Sequence, residues 1–445
     1  MLIRFAVSNF LSFKKEQVLN MVASREAIHN KHVVKGNDSR FSIDVLRTAV
    51  IYGANASGKS NLIKAMQVAK LMLTGSFAPG KPLPYTPFRL DAEMLKKPTR
   101  FEFDIKIGDR IFTYGFEFTR YRIRKEWLTE QKKTTEKNIY LRTTSVKGDV
   151  DVTYNPGITK IGSKTAAFYQ FAQDATRPEQ LLLRKLAENN DEFFQSVYNW
   201  FDDQLTLVFP ESKFGLLEFH IKNNIDFKER FSAFLRGFDT GISGIECTET
   251  DIEKIPDLPS IVIEDIVHSF EENQISIVPS SSGLRYIFEM EKGKIKAYKL
   301  TTIHKTRENK DIFFEISEES DGTQRMMDLI PLLFSLMKGG VCVIDEIDRS
   351  LHPKLVRQFF EYFLNHSDFA QGQLIATTHD VMQMSTHLFR RDEIWLTEKT
   401  EFGESRLFSV ADFKLKHDKD IRKAYLDGLL GGVPFSSAFS STIMN

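Results

Sequence analysis

The feature that most constrains this chain is the octapeptide Gly53-Ala54-Asn55-Ala56-Ser57-Gly58-Lys59-Ser60. It stands between an apolar run, Leu46–Tyr52, and a segment that begins at Asn61. In that segment Leu62, Ile63, Met66, Ala69, Met72 and Leu73 recur at the period of one helix face. The octapeptide fits GxxxxGK[ST], bracketed as that pattern requires by a buried strand and an amphipathic helix. Small residues let the backbone wrap until several N–H groups point at phosphate oxygens. The helix that follows adds its positive N-terminal end. Lys59 can reach the β- and γ-phosphates of a nucleotide, and Ser60 can ligate Mg²⁺. Gly53, Ala54, Asn55, Ala56, Ser57, Gly58, Lys59, Ser60 and Asn61 are therefore candidate nucleotide-binding residues. A chain this long meets the pattern by accident roughly one or two times in a hundred, which does not compete with a match in its full context.

The rest of the chain fits a globular α/β protein. Its 445 residues allow two or three domains or one elaborated core. The apolar fraction of 42% and the charged fraction of 27% are ordinary, while 38 phenylalanines supply ample core. Lys plus Arg and Asp plus Glu both number 60, which excludes a globally basic nucleic-acid coat and an acidic tail protein. A local basic groove stays open. Two cysteines, Cys247 and Cys342, build neither a disulfide framework nor a multi-cysteine zinc site, so a reduced, cytoplasmic setting is expected. No stretch reaches 18 apolar residues, so no membrane span is expected. The opening MLIRFAVSNF alternates like a strand and lacks the apolar run of a signal peptide.

Strand patterns are expected at Leu2–Val7 and Leu46–Tyr52, and in a meander over Phe101–Ile123. A connector with four prolines lies at 78–87. Helical spacing governs 165–207 and places a mainly helical insertion at 151–245. Strands return at Ser260–Ile263, Leu284–Leu300 and Ile312–Ile316. Met326–Met337 reads as an apolar helix, followed by strands at Val341–Ile344, Gln373–Thr377 and Glu393–Thr397. Strand–loop–helix units at both ends predict one parallel sheet built from the two ends together.

Three further elements carry chemistry. Val341-Cys342-Val343-Ile344-Asp345-Glu346 is an apolar strand ending in two acids. A carboxylate at that end sits where open α/β sheets bind ligands. Asp345 is the candidate Mg²⁺ ligand, and Glu346 the candidate base for an attacking water. Gln373–Asp380 is a second buried strand ending in a polar cluster, whose His379 can hydrogen-bond a γ-phosphate or that water. Ser320-Asp321-Gly322-Thr323-Gln324-Arg325 lies just before the apolar helix. There Ser320 and Gly322 can bind a phosphate, or Ser320 or Asp321 can simply cap the helix.

In this order the four elements resemble the ATP-binding cassette (ABC) ATPase head. SDGTQR stands where that family carries LSGGQ, with Ser320 and Gly322 matching. His379 matches the switch histidine, and Asp348 falls where the family has its dimer-contacting loop. No glutamine stands near Pro84–Leu90 to serve as the Q-loop residue. MLIRFAVSNFLSFK, ESDGTQR, DEIDRSLHP and YLDGLLGGVPF narrow the resemblance to the AAA15 branch. That branch includes ATPase subunits of abortive-infection and other anti-phage systems and is related to the overcoming-lysogenization-defect (OLD) nucleases. The resemblance implies an ABC-type head, with a mixed sheet beside a parallel phosphate-loop sheet. Residues 1–150 and 246–445 would form its two parts around the insertion. It implies ATP and Mg²⁺ as cofactors, and a homodimer or higher homo-oligomer that sandwiches ATP. It also implies a separately encoded effector, a nuclease or toxin. No sustained heptad pattern suggests a long coiled-coil arm. With 66 residues after His379, no fused C-terminal nuclease is expected.

One segment points elsewhere. Arg120, Arg122, Arg124 and Lys125, then Lys132, Lys133 and Lys137, concentrate positive charge near Tyr121. A solvated edge strand explains them best, yet they can also track a phosphate backbone. That keeps nucleic acid as a candidate partner, and a RecF-like DNA repair ATPase as the alternative function. A third reading, an ATP-binding inhibitor of a toxic partner without hydrolysis, is disfavoured by Glu346.

Overall fold

The computed structural model describes residues 1–36, 43–132, 135–157, 164–188, 191–215, 217–250, 252, 255, 261, 275–279, 285–291, 294–366, 372–414 and 420–433. The chain opens with β1 (Leu2–Ser8), β2 (Gln17–Asn20), a short pair, β3 (Val33–Val34) and β4 (Val45–Leu46), and β5 (Thr48–Gly53). After the glycine loop comes α1 (Lys59–Thr74), which buries Leu62, Ile63, Ala65, Met66, Ala69, Met72 and Leu73. The meander holds β6 (Thr99–Ile107), β7 (Arg110–Thr119) and β8 (Arg122–Gln131), and continues into β9 (Glu136–Thr144) and β10 (Val150–Tyr154). Helices α2 (Lys164–Asp174), α3 (Leu182–Ala187) and α4 (Glu192–Asn199) then lead to β11 (Leu205–Val208). Next come α5 (Leu217–Asn223), α6 (Ile225–Gly237), β12 (Gly244–Thr250), β13 (Ile275–Pro279), β14 (Arg285–Glu291), β15 (Lys294–Lys305), β16 (Asp311–Glu315) and α7 (Asp321–Met337). The chain closes with β17 (Val341–Ile344), α8 (Pro353–Asn365), β18 (Gln373–Thr377), β19 (Ile394–Lys399), β20 (Ser405–Ser409) and α9 (Ile421–Leu426).

Two compact units result, one of Met1–Pro210, Ser335–Asp348 and Phe359–Asn445, the other of Glu211–Phe334 and Arg349–Gln358. The first contains two sheets. One is antiparallel, in the order β10-β9-β8-β7-β6-β1-β2. The other, β11-β17-β18-β5-β19-β20, is parallel except for its last strand. Strands from both ends of the chain do meet in it. The α/β architecture expected of an ABC-type head, with its parallel phosphate-loop sheet, is therefore present, while the sheet beside it is antiparallel throughout rather than mixed.

A shared core joins the two sheets. Phe5, Phe101 and Phe103 of the antiparallel sheet belong to the same cluster as Ile51, Leu62, Val343 and Ile375 around the parallel one. The buried Gln373 side chain stitches the sheets at one end, donating to the Leu2 and Leu46 carbonyls at 2.8 Å each and accepting from the Leu2 N–H. The phenylalanines interlock at ring distances: Phe103 with Trp200 and Phe201, and Phe112 with Phe193. Glu126 on β8 is fully buried and receives the Tyr114 and Tyr140 hydroxyls and the Leu182 and Leu183 N–H groups. It thereby satisfies the open end of α3.

The second unit is built on an antiparallel sheet, β12-β15-β14-β13, with β16 also paired to β15. Tyr286, Phe288 and Ala297 centre its core with Ile255. Phe227 and Phe234 of α6 close on Phe334 of α7, with ring centres 4.9 and 5.6 Å apart.

Three details differ from expectation. The division falls at Pro210/Glu211 rather than at 150 and 245. Within 151–245 the helices α2–α6 share the span with β10, β11 and β12, and β11 joins the parallel sheet beside β17. The four residues of β11 are too few to break the helical pattern around them. The basic strand β8 is not an edge: it lies between β7 and β9, which the local pattern could not reveal because β9 and β10 were not anticipated. Of the strand expected at Ser260–Ile263 only Ile261 is among the described residues. Lys133, Leu284 and the Pro434-Phe435 end of the last motif lie outside them.

Candidate active site

The site grows from the ends of three adjacent parallel strands. β18 lies between β17 and β5. This brings the polar residues after Thr377 between the acids after β17 and the loop after β5.

The loop from Gly53 to Ser60 turns tightly. Ala56 and Gly58 are left-handed, at φ 61° and 117°. Gly58 cannot be replaced without strain, because a Cβ there would overlap the Ser405 side chain. That side chain braces the loop instead: Ser405 Oγ donates its proton to the Ser57 carbonyl at 2.6 Å and pairs with the Ser12 hydroxyl at 2.7 Å. Asn61 donates to the same Ser12 hydroxyl at 2.7 Å. Ser57 is buried, and its hydroxyl meets Thr397 Oγ1 at 2.6 Å. Lys59 and Ser60, as the first helical residues, have no preceding turn to donate to.

Lys59 is 4% exposed, and its ammonium is held by carbonyls rather than by a carboxylate: Gly53 O at 2.8 Å and Ala54 O at 3.1 Å. Desolvation by burial lowers its pKa from 10.5 to about 8, against the more distant pull of Asp345, Asp348 and Glu346. A buried cation held by neutral groups rather than by a carboxylate, beside helix-end N–H groups, fits an anionic phosphate chain.

Asp345 is buried at the end of β17. Its Oδ1 accepts from Ser60 Oγ at 3.2 Å and from Thr377 Oγ1 at 2.6 Å. A hydroxyl and a carboxylate, both oxygen donors and already adjacent, suit Mg²⁺. Ser60 and Asp345 would hold it. Glu346 follows at φ 48°, left-handed for a non-glycine residue, with its N–H bonded to Thr377 Oγ1 at 2.8 Å. His379 is exposed. Its N–H reaches Asp348 Oδ2 at 3.2 Å, and its Nδ1 lies 3.4 Å from Lys59 Nζ. Desolvation, then the Lys59 charge, lowers the His379 pKa from 6.5, which favours the neutral ring. With Nδ1 accepting from Lys59, the proton sits on Nε2, ready to donate.

The structure thus gathers Gly53, Ala54, Asn55, Ala56, Ser57, Gly58, Lys59, Ser60, Asn61, Asp345, Glu346 and His379 in one region of the first unit. Ser320 and Gly322 belong to the second unit. There Ser320 is exposed and its Oγ accepts the Thr323 N–H at 3.2 Å, capping α7. A Cβ on Gly322 would lie 2.7 Å from the Ser350 carbonyl.

Sequence reasoning missed several contributors. Thr377 was visible as a hydroxyl closing an apolar strand, but its role needed the strand order. Ser12, Thr397 and Ser405 come from distant segments and carry no local signal. A cavity of about 780 Å³ adjoins the loop. Gly53, Ala54, Asn55, Ser57 and His379 line it, together with Tyr425–Gly428 and Gly431–Val433 near the C-terminal end. The Gly432 carbonyl accepts from Ala54 N–H at 3.0 Å and from the Tyr425 hydroxyl at 3.0 Å.

The sequence profile of a family described as "AAA domain, putative AbiEii toxin, Type IV TA system" matches residues 49–382. No curated protein matches the chain. Among solved structures, the SMC head domain from Thermotoga maritima aligns over 92% of this chain and 98% of its own, at 14% identity and a TM-score of 0.37. A crystal structure of the SmcHead bound to the C-winged helix domain of ScpA aligns over 96% and 99%, at 13% identity and a TM-score of 0.39. Among the described residues no helix is long and apolar enough to cross a membrane.

Proposed function

The chain belongs to the AAA_21 family of AAA domains, and on that premise we propose that it is an ATPase acting on Mg²⁺-ATP at the loop Gly53–Asn61. The observation that carries this reading is the convergence on Asp345. Ser60 approaches it from the phosphate loop and Thr377 from the strand that ends in His379. Mg²⁺ held by Ser60 and Asp345 would supply neutralisation of the charge that develops on the phosphates. Lys59 donates to the β- and γ-phosphates in exchange for its carbonyl partners. Glu346 accepts the proton of the attacking water, and His379 donates from Nε2 to the γ-phosphate or to that water. Positioning and electrostatics of this kind suffice for phosphoryl transfer to water.

The active form is two or more heads that share ATP, each supplying the Ser320–Gly322 end of α7 to its neighbour's nucleotide. The exposure of Ser320 at a helix N-terminus supports this, as does the position of SDGTQR in the chain. The heads act as a sensor or scaffold that controls a separately encoded nuclease or toxin in anti-phage defence. Support comes from the resemblance of ESDGTQR and DEIDRSLHP to that branch, and from a family description that names a toxin of a type IV system. A cytoplasmic setting suits two cysteines outside any disulfide, Cys247 and Cys342.

The test is a pair of variants. Lys59→Ala loses ATP binding while keeping its fold. Glu346→Gln binds ATP but hydrolyses it about 10²–10⁴-fold more slowly, because an amide cannot take the proton. Turnover by Glu346→Gln near the wild-type rate would place the base elsewhere. Exposure of Arg120, Tyr121, Arg124 and Lys125 keeps the RecF-like reading in view. Strong DNA binding that weakens steeply with salt would favour it.

A further inference from the structure

The geometry points to Thr377 as the residue that positions both halves of the acidic pair, an inference that rests on the ATPase reading above. A hydroxyl has one proton to give and two lone pairs to accept with. Thr377 spends the proton on Asp345 Oδ1 at 2.6 Å and accepts the Glu346 N–H at 2.8 Å. Its own carbonyl accepts the Ile347 N–H at 3.0 Å. Three consecutive residues after β17 are therefore tied to this one side chain and its peptide.

Each tie has a distinct consequence. Oδ1 of Asp345 receives the hydroxyls of both Thr377 and Ser60. That fixes the carboxylate plane and leaves Oδ2 as the oxygen free to face a cation. The Glu346 backbone is left-handed, a conformation that costs a non-glycine residue energy and persists only where neighbours impose it. The Thr377 hydroxyl is such a neighbour, and it sets the direction in which the Glu346 side chain leaves the strand.

The fold explains why this position can do so. β18 pairs with β17 up to Ile344↔Ala376 and with β5 at Thr377↔Ile51. Thr377 is the last paired residue of the strand between the two. It is fully buried, in an apolar strand where valine would fill the same space. Burying a hydroxyl is unfavourable unless it is bonded. Here both of its hydrogen-bonding functions go to the acids.

Thr377→Val keeps the shape and removes the hydroxyl, while Thr377→Ser keeps the hydroxyl. Turnover is measured with ATP. Metal binding is measured by calorimetric titration of Mg²⁺ into protein loaded with a non-hydrolysable ATP analogue. Thr377→Val is expected to lower kcat about 10–100-fold and to raise the half-saturating Mg²⁺ concentration about 10–100-fold, the scale at which partners of metal ligands act. KM for ATP at saturating Mg²⁺ should stay within about threefold, because the phosphate loop is intact, and Thr377→Ser should stay within about threefold on every measure. Thr377→Ala is read in the same way should the valine variant lose its thermal transition. Unchanged kcat and Mg²⁺ affinity in the variant lacking the hydroxyl overturn the inference. So does a serine variant as impaired as valine. Wild-type protein without Mg²⁺-dependent turnover refutes the ATPase reading itself. Wild-type turnover with an unaffected Thr377→Val refutes only the role given to Thr377.

Discussion

Lys59 gives the most demanding quantitative test, because the site that needs its charge also makes that charge costly. Its pKa falls from 10.5 to about 8, chiefly through desolvation. At about 1.4 kcal/mol per pK unit, the site disfavours the charged form by about 3 kcal/mol. Solvent reaches the loop through the adjoining cavity, which reduces this to about 1–3 kcal/mol. Because the folded pKa lies below the unfolded one, the unfolded chain binds more protons between pH 8 and 10.5. The penalty is complete below pH 8 and is relieved as pH rises, about three quarters of it by pH 10. Lys59→Met lacks the titrating group. Wild-type stability minus Lys59→Met stability should therefore rise by about 1–2 kcal/mol from pH 7 to pH 10. Other titrating groups are common to both proteins and cancel. Urea unfolding followed by tryptophan fluorescence reads the right unit, since Trp127, Trp200 and Trp395 all lie in the one that carries Lys59. Bound ATP should flatten the wild-type dependence, because the phosphate charge stabilises the ammonium. Parallel pH profiles for the two proteins without nucleotide would refute the desolvated lysine.

Two further outcomes test the loop and the shared site. Gly58→Ala forces a Cβ onto Ser405 at φ 117°, so ATP affinity should fall at least about tenfold, with strain of about 1–3 kcal/mol visible in urea unfolding; wild-type affinity would show that the loop accommodates the Cβ. Ser320→Arg should keep single-chain ATP binding yet lose hydrolysis. Mixing it with Lys59→Ala should restore part of the activity, since one composite site then carries neither change; no recovery in the mixture would reject shared sites.

The sequence disclosed the parts of the site that are contiguous and hid those that depend on strand order. Gly53–Ser60 is legible because one loop performs one task. Asp345-Glu346 and His379 are legible because each closes an apolar strand. Their relation is not legible, since nothing local says that β18 enters between β17 and β5. For the same reason Thr377 reads as one more polar residue beside Thr378. The long antiparallel sheet was half visible. Phe101–Phe118 alternates clearly, whereas β9 and β10 carry mixed polar residues that alternate only against their buried neighbours. β11 was lost inside helical spacing, because four residues do not establish a period. Ser12 and Ser405, 393 positions apart, meet only through the pairing of distant segments.

The braces of this site are hydroxyls. Ser12, Ser57, Thr377, Thr397 and Ser405 hold the loop and the acidic pair, and Ser60 completes the contact with Asp345. None of these groups ionises in the range where proteins work, so the geometry is insulated from pH. Titration enters through Lys59 and His379, groups that meet the phosphates or the water. A buried ion pair could have held the same loop, but its charges would have competed with the phosphates and the cation for partners. Hydroxyl braces leave Lys59 as the cation of the loop and Asp345 as the carboxylate between loop and strand. The electrostatics of the site is thereby reserved for what binds there.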